Sequence, residues 1–239
     1  MNSYCDRSLE EVLAYRYSVY DLLRRIFLWQ FPLDLFTELV EASKGEQDAN
    51  SSSPEASFRN YLRGLPTNNL VEISREIHIE YTRLFVGPRH LPAPPYESVY
   101  RSPDKLMMQG QTIDVRSFYA KNGFQVVRLN QEPDDMIGIE LEFMCALSKA
   151  SMDALMEEDR PRLVELVDTQ SQFCDLHLMK WVPNFCQDII DDSTSEFWKE
   201  VAVLARNFLD VETSELTELL TQWRVPQDPT LPSPALVVP

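Results

Sequence analysis

Apolar residues recur at steps of three and four through most of this sequence, and this spacing restricts the fold more than any other feature. In the first such segment they are Leu9, Val12, Leu13, Tyr17, Tyr20, Leu23 and Phe27. A period near 3.6 residues is typical of amphipathic helices, and no segment shows the alternation of a half-buried strand. Only six of the 239 residues are glycine. The sequence therefore predicts an all-α fold, a single globular bundle of roughly eight to ten helices.

Capping signals and prolines divide the chain into helices and loops. The predicted helices run from Ser8 to about Trp29, Leu33 to Ala42, Leu70 to about Phe85, Ser102 to Asn122, Pro133 through Cys145, Arg160 to Trp181, Ser195 to Leu209 and Thr213 to Trp223. The polar stretch 44–54 is a predicted exposed linker, and residues 125–132 form a further predicted loop. We expect one helical domain over residues 1–225, followed by a proline-rich irregular tail at 226–239.

The charge balance limits the partners that this protein can bind. It has 22 Lys and Arg against 38 Asp and Glu, a net charge of −16, which excludes a general affinity for nucleic acids. Basic partners remain open. No apolar run approaches the roughly 18 residues of a membrane span, and no signal-peptide core follows the N-terminus, so the predicted location is the cytoplasm. The cysteines lack CxxC spacing, and we expect buried free thiols.

The segment Glu132-Pro133-Asp134-Asp135-Met136-Ile137-Gly138 is the densest candidate site. It places three carboxylates within four residues at the predicted start of a helix, where unpaired amides favour negative charge by about 0.3–1 kcal/mol each. Ionised carboxylates there can bind guanidinium groups. A second interpretation stays open, in which Asp134 only caps the helix and its neighbours are solvated.

Glu140 lies on the apolar stripe of the same helix, three residues after Ile137 and four before Met144. A carboxylate that faces the interior needs a partner. One interpretation is therefore a structural ion pair or hydrogen bond with an Arg or Tyr of a neighbouring helix. The other is that Glu140 forms the acidic floor of a cleft that is open to a cation.

The loop between Gly87 and Tyr100 is the second candidate site. Its prolines remove amide donors and hold the chain extended; they are Pro88, Pro92, Pro94 and Pro95. Such a loop can present His90, Tyr96, Tyr100 and unpaired carbonyls to a peptide. A plain crossover between two helices is the alternative.

Other chemistry has little support in the sequence. His78, His90 and His177 are dispersed, and no HExxH, HxxxH or GxSxG motif occurs, so we expect neither a metal site nor nucleophilic catalysis. His177 and Trp181, four residues apart, are interpreted as packing residues at a helix end. No phosphate-binding loop is present, and no required cofactor is predicted.

Three segments occur in order between residues 81 and 185. They are YTRLFVGP at 81–88 with PAPPYESVY at 92–100, EPDDMIGIELEFM at 132–144, and HL at 177–178 with WVPNF at 181–185. In combination they resemble the TorD/DmsD/NarJ-like family of cytoplasmic chaperones that mature molybdenum-containing redox enzymes. The ends of the chain resemble nothing beyond generic helices.

The resemblance implies a TorD-like, all-helical chaperone without enzymatic turnover. Such a protein binds the twin-arginine signal peptide or the apo form of a molybdenum-containing oxidoreductase, and it delays export until the molybdopterin cofactor is loaded. Carried over by position, Asp134 and Asp135 would belong to the signal-peptide site, with Glu132 beside them. This chain has Met136 where the family often has His, which replaces an imidazole with an apolar contact. Similar proteins exchange helices, so we expect a monomer or a helix-swapped dimer, with the loop 125–132 as the candidate hinge.

The predicted signal-peptide site comprises Glu132, Asp134, Asp135, Met136, Glu140, His90, Pro94, Pro95, Tyr96 and Tyr100. A charge pair at about 4 Å is worth ~1 kcal/mol in bulk water and ~4 kcal/mol near a protein surface, so two arginines can confer specificity. Two other function classes stay open. One is a purely structural helical adaptor, and the other is a metal-dependent hydrolase with the ligands Glu132, Asp134, Asp135 and Glu140.

Overall fold

Helices account for most of the residues that the computed structural model describes, which are 8–28, 32–45, 54–88, 90–126 and 132–224. The α-helices in these ranges are α1 (Leu9–Phe27), α2 (Leu33–Ser43), α3 (Pro54–Arg63), α4 (Leu70–Tyr81), α5 (Glu97–Arg101), α6 (Gly110–Lys121), α7 (Ile137–Met156), α8 (Arg160–Phe173), α9 (Met179–Asp192) and α10 (Glu196–Arg224). Within the same ranges there is no strand, and Tyr96 and Met136 form an isolated β-bridge. The all-α prediction is confirmed.

Helices α1 and α7 form the most extensive helix pair of the core. The predicted capping box starts α1, because the Ser8 hydroxyl accepts from the Glu11 amide and the Ser8 amide donates to the Glu11 carboxylate. The end of α1 lies so close to α7 that a Cβ atom on Gly138 would be 2.7 Å from the Leu28 Cα atom. Glycine is therefore required where the two backbones meet.

Two π-helical turns lead into the candidate site. Thr82–Val86 continues α4 into the proline-rich loop, and Cys174–Leu178 joins α8 to α9. The first turn buries Leu84 and Phe85, while the second turns His177 inward. Single π-helical turns are rare and are frequently found at functional sites.

Several predicted boundaries are wrong. Ser102-Pro103 does not open a helix, because α6 begins at Gly110, and Lys105 and Met108 before it have left-handed φ angles of 52° and 58°. The π-helical turn 174–178 leads into α9 rather than to a helix end near Trp181, and Pro183 lies within α9. The short helices α3 and α5 were not predicted.

The helix predicted to break near residue 210 is continuous through α10. Glu212, a polar residue within an apolar stripe, is buried against Arg16 of α1, so it does not interrupt the helix. The described cysteines Cys145, Cys174 and Cys186 are buried free thiols as expected. The predicted linker and hinge lie partly, and the tail 226–239 wholly, outside the described residues.

Candidate functional site

The two candidate sites predicted from the sequence lie side by side. They are the proline-rich loop (87–100) and the segment 132–138, which we call the acidic segment. The backbones of Tyr96 and Met136 form the isolated antiparallel bridge. The Ile137 amide donates to the Pro95 carbonyl at 3.0 Å, and the Glu97 amide donates to the Asp135 carbonyl at 3.0 Å. The proline-rich loop and the acidic segment are therefore one structural unit, although about forty residues separate them in the chain.

Asp135 forms hydrogen bonds with both ends of the segment 98–112, which follows the proline-rich loop. Its Oδ2 atom accepts from the Ser98 amide at 2.8 Å, and its Oδ1 atom accepts from the Thr112 hydroxyl at 2.8 Å. The side chain is fully buried. Because both carboxylate oxygens are engaged within the chain, Asp135 holds α5 and α6 in place.

Asp134 forms an ion pair with Arg116 of α6, at 2.6 Å between Oδ2 and Nη2. Asp134 is 2% exposed, whereas the Arg116 side chain is 44% exposed and covers it from the solvent side. The interpretation of Asp134 as a helix cap is wrong. Helix α7 begins at Ile137 after Met136, and no side chain caps it.

Glu140 is fully buried at the base of this unit. Its Oε2 atom accepts from Trp181 Nε1 at 3.1 Å, and its carboxyl group also lies within hydrogen-bonding reach of the Glu97 carboxyl group. Burial raises the pKa of Glu140 well above its usual range, and the carboxylates of Glu97 and Asp135 raise it further. The expectation of an interior partner is met by a tryptophan rather than by the Arg or Tyr that the sequence suggested.

Glu97 is a second buried carboxylate, and it is the first residue of α5, directly after the proline-rich loop. It accepts from Arg101 one turn later in α5, and its Oε2 atom is 3.0 Å from Nδ1 of His177. Arg101 also donates to the Leu176 carbonyl at 3.0 Å. The second π-helical turn is thereby joined to α5, and His177 contacts the buried Glu97 carboxylate in addition to packing.

Glu132 differs from the other acids because it is only half-buried. Burial raises its pKa, and no cation among the described residues offsets the effect. It lies near the loop, since burial and then the charges of Glu132 and Asp135 raise the pKa of Tyr96 to about 12. Of the predicted carboxylates, Glu132 is therefore the most accessible to a cationic ligand.

The remaining predicted site residues differ in exposure. Met136 and Pro95 are buried, whereas Pro94 and Tyr96 are half-buried and His90 is exposed. Tyr100 is half-buried, and its hydroxyl donates to Asp188 of α9 at 2.9 Å. The structure brings Tyr96, Pro95 and Met136 to the acidic segment through the bridge and its hydrogen bonds. Peptide binding by these residues stays a prediction.

Sequence reasoning did not identify several residues that complete this unit. Arg116, Glu97, Thr112 and Ser98 supply its partners. Glu97 and Ser98 lie in the quoted motif at 92–100, which was a usable signal, whereas nothing in the spacing points to Arg116. Across the described ranges, no group of three or more His, Cys, Asp or Glu side chains could hold a metal ion. The four carboxylates therefore give no support to the hydrolase alternative.

The sequence matches the family model described as the nitrate reductase delta subunit over residues 47–187, more than half of the chain. The chain belongs to this family. The family resemblance drawn from the three motifs is thereby confirmed, and the matched range includes the loop, the acidic segment and His177. No helix in the described part of the chain is both long and apolar enough to cross a membrane.

Several proteins that are similar to this chain carry chaperone names. The chaperone protein TorD of Vibrio atlanticus is 30% identical over 141 residues, covering 59% of this chain and 64% of that protein. The Tat proofreading chaperone DmsD of Salmonella typhi is 29% identical over 126 residues, covering 53% and 55%. The TorD of a Psychrobacter species is 26% identical over 145 residues, covering 59% and 63%. These matches span less than two thirds of the relatives' own length.

A solved structure supports the fold. It is the crystal structure of a candidate redox enzyme maturation protein from Archaeoglobus fulgidus, with a TM-score of 0.50 and 18% sequence identity. The superposition covers 87% of this chain and 98% of the other. At this identity the likeness establishes the all-helical architecture alone.

Proposed function

We propose that this protein is a non-enzymatic chaperone of the cytoplasm. It binds the twin-arginine signal peptide, or the apo form, of a molybdenum-containing oxidoreductase and assists cofactor loading before export. Membership of the family and the names of its relatives support this function. The main structural support for this function is that the Tyr96–Met136 bridge joins the proline-rich loop to the acidic segment.

Glu132 and Asp134 are the carboxylates that we propose as receptors for the arginines. Glu132 is half-buried, and no described cation offsets its burial, so a guanidinium group beside it would stabilise its charged form. Asp134 is covered by the half-exposed Arg116 side chain, which a second guanidinium group can join or replace from solvent. Asp135 and Glu140 lie deeper, and their role is to hold the unit together.

The test is calorimetric titration of the full chain with a synthetic twin-arginine leader peptide. Glu132→Gln should weaken binding about three- to fivefold, the range expected for one partly exposed charge pair. A peptide with both arginines replaced by glutamine should bind more weakly still. Asp191→Asn is the matched control, because Asp191 is an exposed acid at the end of α9.

Equal losses in Glu132→Gln and Asp191→Asn would contradict the proposed site, because bulk acidity alone would then explain the binding. Equal affinity for the arginine and glutamine peptides would contradict the function itself. We also propose a monomer or a helix-swapped dimer without a required cofactor, which sedimentation and mass spectrometry of the native protein can check.

A further inference from the structure

Arg116 already supplies a guanidinium group to the acidic segment. Its Nε and Nη2 atoms donate to the Oδ2 atom of Asp134 at 3.0 Å and 2.6 Å. Among the described residues, no other group donates to the Asp134 carboxylate, and its Oδ1 atom accepts no hydrogen bond. A guanidinium group offers a fixed fork of N–H donors that suits a carboxylate. The protein therefore holds its own arginine where the proposed function requires an arginine of the ligand.

Asp134 differs in this respect from Glu80 of α4, a second buried acid that an exposed arginine covers. The Arg83 side chain is 42% exposed and binds Glu80 at 2.8 Å. Glu80 also accepts from the Thr194 amide at 2.7 Å and from the Ser193 hydroxyl at 3.1 Å. Glu80 therefore keeps hydrogen bonds if Arg83 moves away, whereas the Asp134 carboxylate would have no donor left among the described residues. Because an unpaired buried carboxylate is costly, Asp134 needs a cation in the free protein as well as in a complex.

The Arg116 side chain can give way to a ligand while its helix stays in place. It projects from the middle of α6 and is 44% exposed, whereas Asp134 is 2% exposed. The guanidinium group of Arg116 can therefore turn into solvent without a movement of the backbone. A leader arginine that takes its place forms the same kind of pair with Asp134, so one charge pair replaces another.

We propose that Arg116 is an internal competitor of the leader peptide, which must displace it from Asp134 in order to bind. This inference rests on the proposed function and concerns the regulation of the same site. Only the fraction of molecules in which Arg116 has turned away can accept the leader arginine, so the apparent affinity is reduced by that fraction. When the leader leaves, Arg116 restores the pair with Asp134. The competitor therefore keeps leader binding weak and reversible, as the release of a partner requires.

The test is calorimetric titration of the full chain with the twin-arginine leader peptide. Arg116→Gln removes the charge but keeps an amide that can donate to Asp134. It should bind the leader about fivefold more tightly than the wild type, the change expected when one partly exposed competing charge pair is removed. Arg116→Lys keeps a competing charge without the guanidinium fork, so its affinity should lie between those of the wild type and Arg116→Gln.

Arg83→Gln is the matched control, because it also removes one positive charge from a half-exposed arginine that covers a buried acid. Its leader affinity should equal that of the wild type. A peptide with both arginines replaced by glutamine should bind the wild type and Arg116→Gln equally. Asp134→Asn in the Arg116→Gln background should abolish the gain in affinity, since the charge that the two arginines compete for is then absent.

A second measurement uses the wild-type protein and does not depend on how the variants fold. The Nε proton of Arg116 is bonded to Asp134 in the free protein, so NMR should find it protected from exchange with water. Its signal is assigned by its absence from the spectrum of Arg116→Lys. The protection should be lost when the leader binds. Unchanged protection in the complex would show that Arg116 stays on Asp134, and it would overturn the inference.

Two titration results would also overturn the inference while the proposed function still stands. If Arg116→Gln binds the leader no more tightly than the wild type, Arg116 supports the site instead of competing for it. If Arg83→Gln gains as much affinity as Arg116→Gln, the net charge of the chain explains the gain. If the wild type binds no leader at all, the proposed function and the inference fail together.

Discussion

Glu140 shows how a single residue can make this fold sensitive to pH. It is fully buried, and burial together with Glu97 and Asp135 raises its pKa well above the usual range. An unfolded glutamic acid has a pKa of about 4.3, so above that pH the folded state binds a proton that the unfolded state has released. The contribution of Glu140 to stability is therefore complete below about pH 4.3 and is lost as the pH rises toward its folded pKa.

Glu140→Gln should remove this dependence. The amide is neutral at every pH, and its oxygen can still accept from Trp181. In urea unfolding between about pH 4.5 and pH 8, the wild type should lose free energy of unfolding relative to the variant as the pH rises. Glu142→Gln is the control, since Glu142 is an exposed acid on the same helix. Parallel pH profiles for the wild type and Glu140→Gln would contradict a raised pKa.

Gly138 is a second residue whose identity is set by packing. A Cβ atom there would lie 2.7 Å from Leu28 Cα and 2.9 Å from Leu28 N, both backbone atoms. Gly138→Ala should reduce the free energy of unfolding by about 1–3 kcal/mol through overpacking, although alanine favours a helix by about 1 kcal/mol. Gly110→Ala, where no atom lies within 4 Å, should be neutral or stabilising. Equal changes in the midpoint of thermal unfolding for Gly138→Ala and Gly110→Ala would contradict this prediction. Helices α1 and α7 could then move apart without a cost in stability.

The sequence revealed the acids of the site but not their surroundings. Glu132, Asp134 and Asp135 were conspicuous because they are adjacent in the chain. Their environment depends on residues far away, since Arg116 precedes Asp134 by 18 positions and Trp181 follows Glu140 by 41. Such partners are fixed by helix packing and cannot be read from spacing, so the burial of Asp134 and Asp135 was not foreseen.

At the scale of elements, a buried polar network joins α1, α8 and α10. Arg16 Nε donates to both carboxylate oxygens of Glu212 at 2.9 and 3.0 Å, and its Nη2 atom donates to Gln170 at 2.6 Å. Tyr20 also donates to Glu212 at 3.0 Å. Neither charged side chain is exposed. Each of the three helices therefore depends on the others to satisfy its buried polar group.

Arg16→Met should destabilise the protein by about 3–5 kcal/mol, because it leaves the Glu212 charge buried and unpaired. The double variant Arg16→Met with Glu212→Leu should recover most of that loss, since two apolar side chains can replace the pair. Urea unfolding of the wild type, both single variants and the double variant gives the coupling free energy. If the losses of the two single variants simply add in the double variant, the prediction is wrong. Water would then reach Glu212 when Arg16 is removed.

Periodicity predicted the helices well wherever the apolar stripe decided the structure. The predicted starts of α1, α2, α4 and α8 agree with the structure. Predictions failed where a local signal competed with tertiary contacts, as at Ser102, whose hydroxyl accepts from the Leu106 amide in a strained turn instead of starting a helix. The break expected near residue 210 failed for the same reason, because Arg16 stabilises Glu212 within α10.

For the whole molecule, the net charge of −16 acts on stability and on binding in opposite directions. Excess like charge destabilises a compact state through repulsion, and the same field attracts a cationic ligand. Salt reduces both effects, since the Debye length falls from about 30 Å at ~0.01 M to about 3 Å at ~1 M. The buried Arg16–Glu212 pair is screened far less, so the core should keep its contribution at high salt.

We therefore expect added sodium chloride to raise the midpoint of thermal unfolding by about 2–4 °C, equivalent to ~1 kcal/mol for a chain of this size, while leader affinity falls. Asp191→Asn with Asp192→Asn removes two negative charges at the C-terminal end of α9, where the helix dipole also disfavours them. This variant should start from a higher midpoint and gain less from salt. A midpoint that falls with salt would mean that the surface ion pairs stabilise the fold more than the net charge destabilises it. The net charge would then not explain both the response of stability and the response of binding to salt. The attraction of the leader peptide would have to come from local contacts alone.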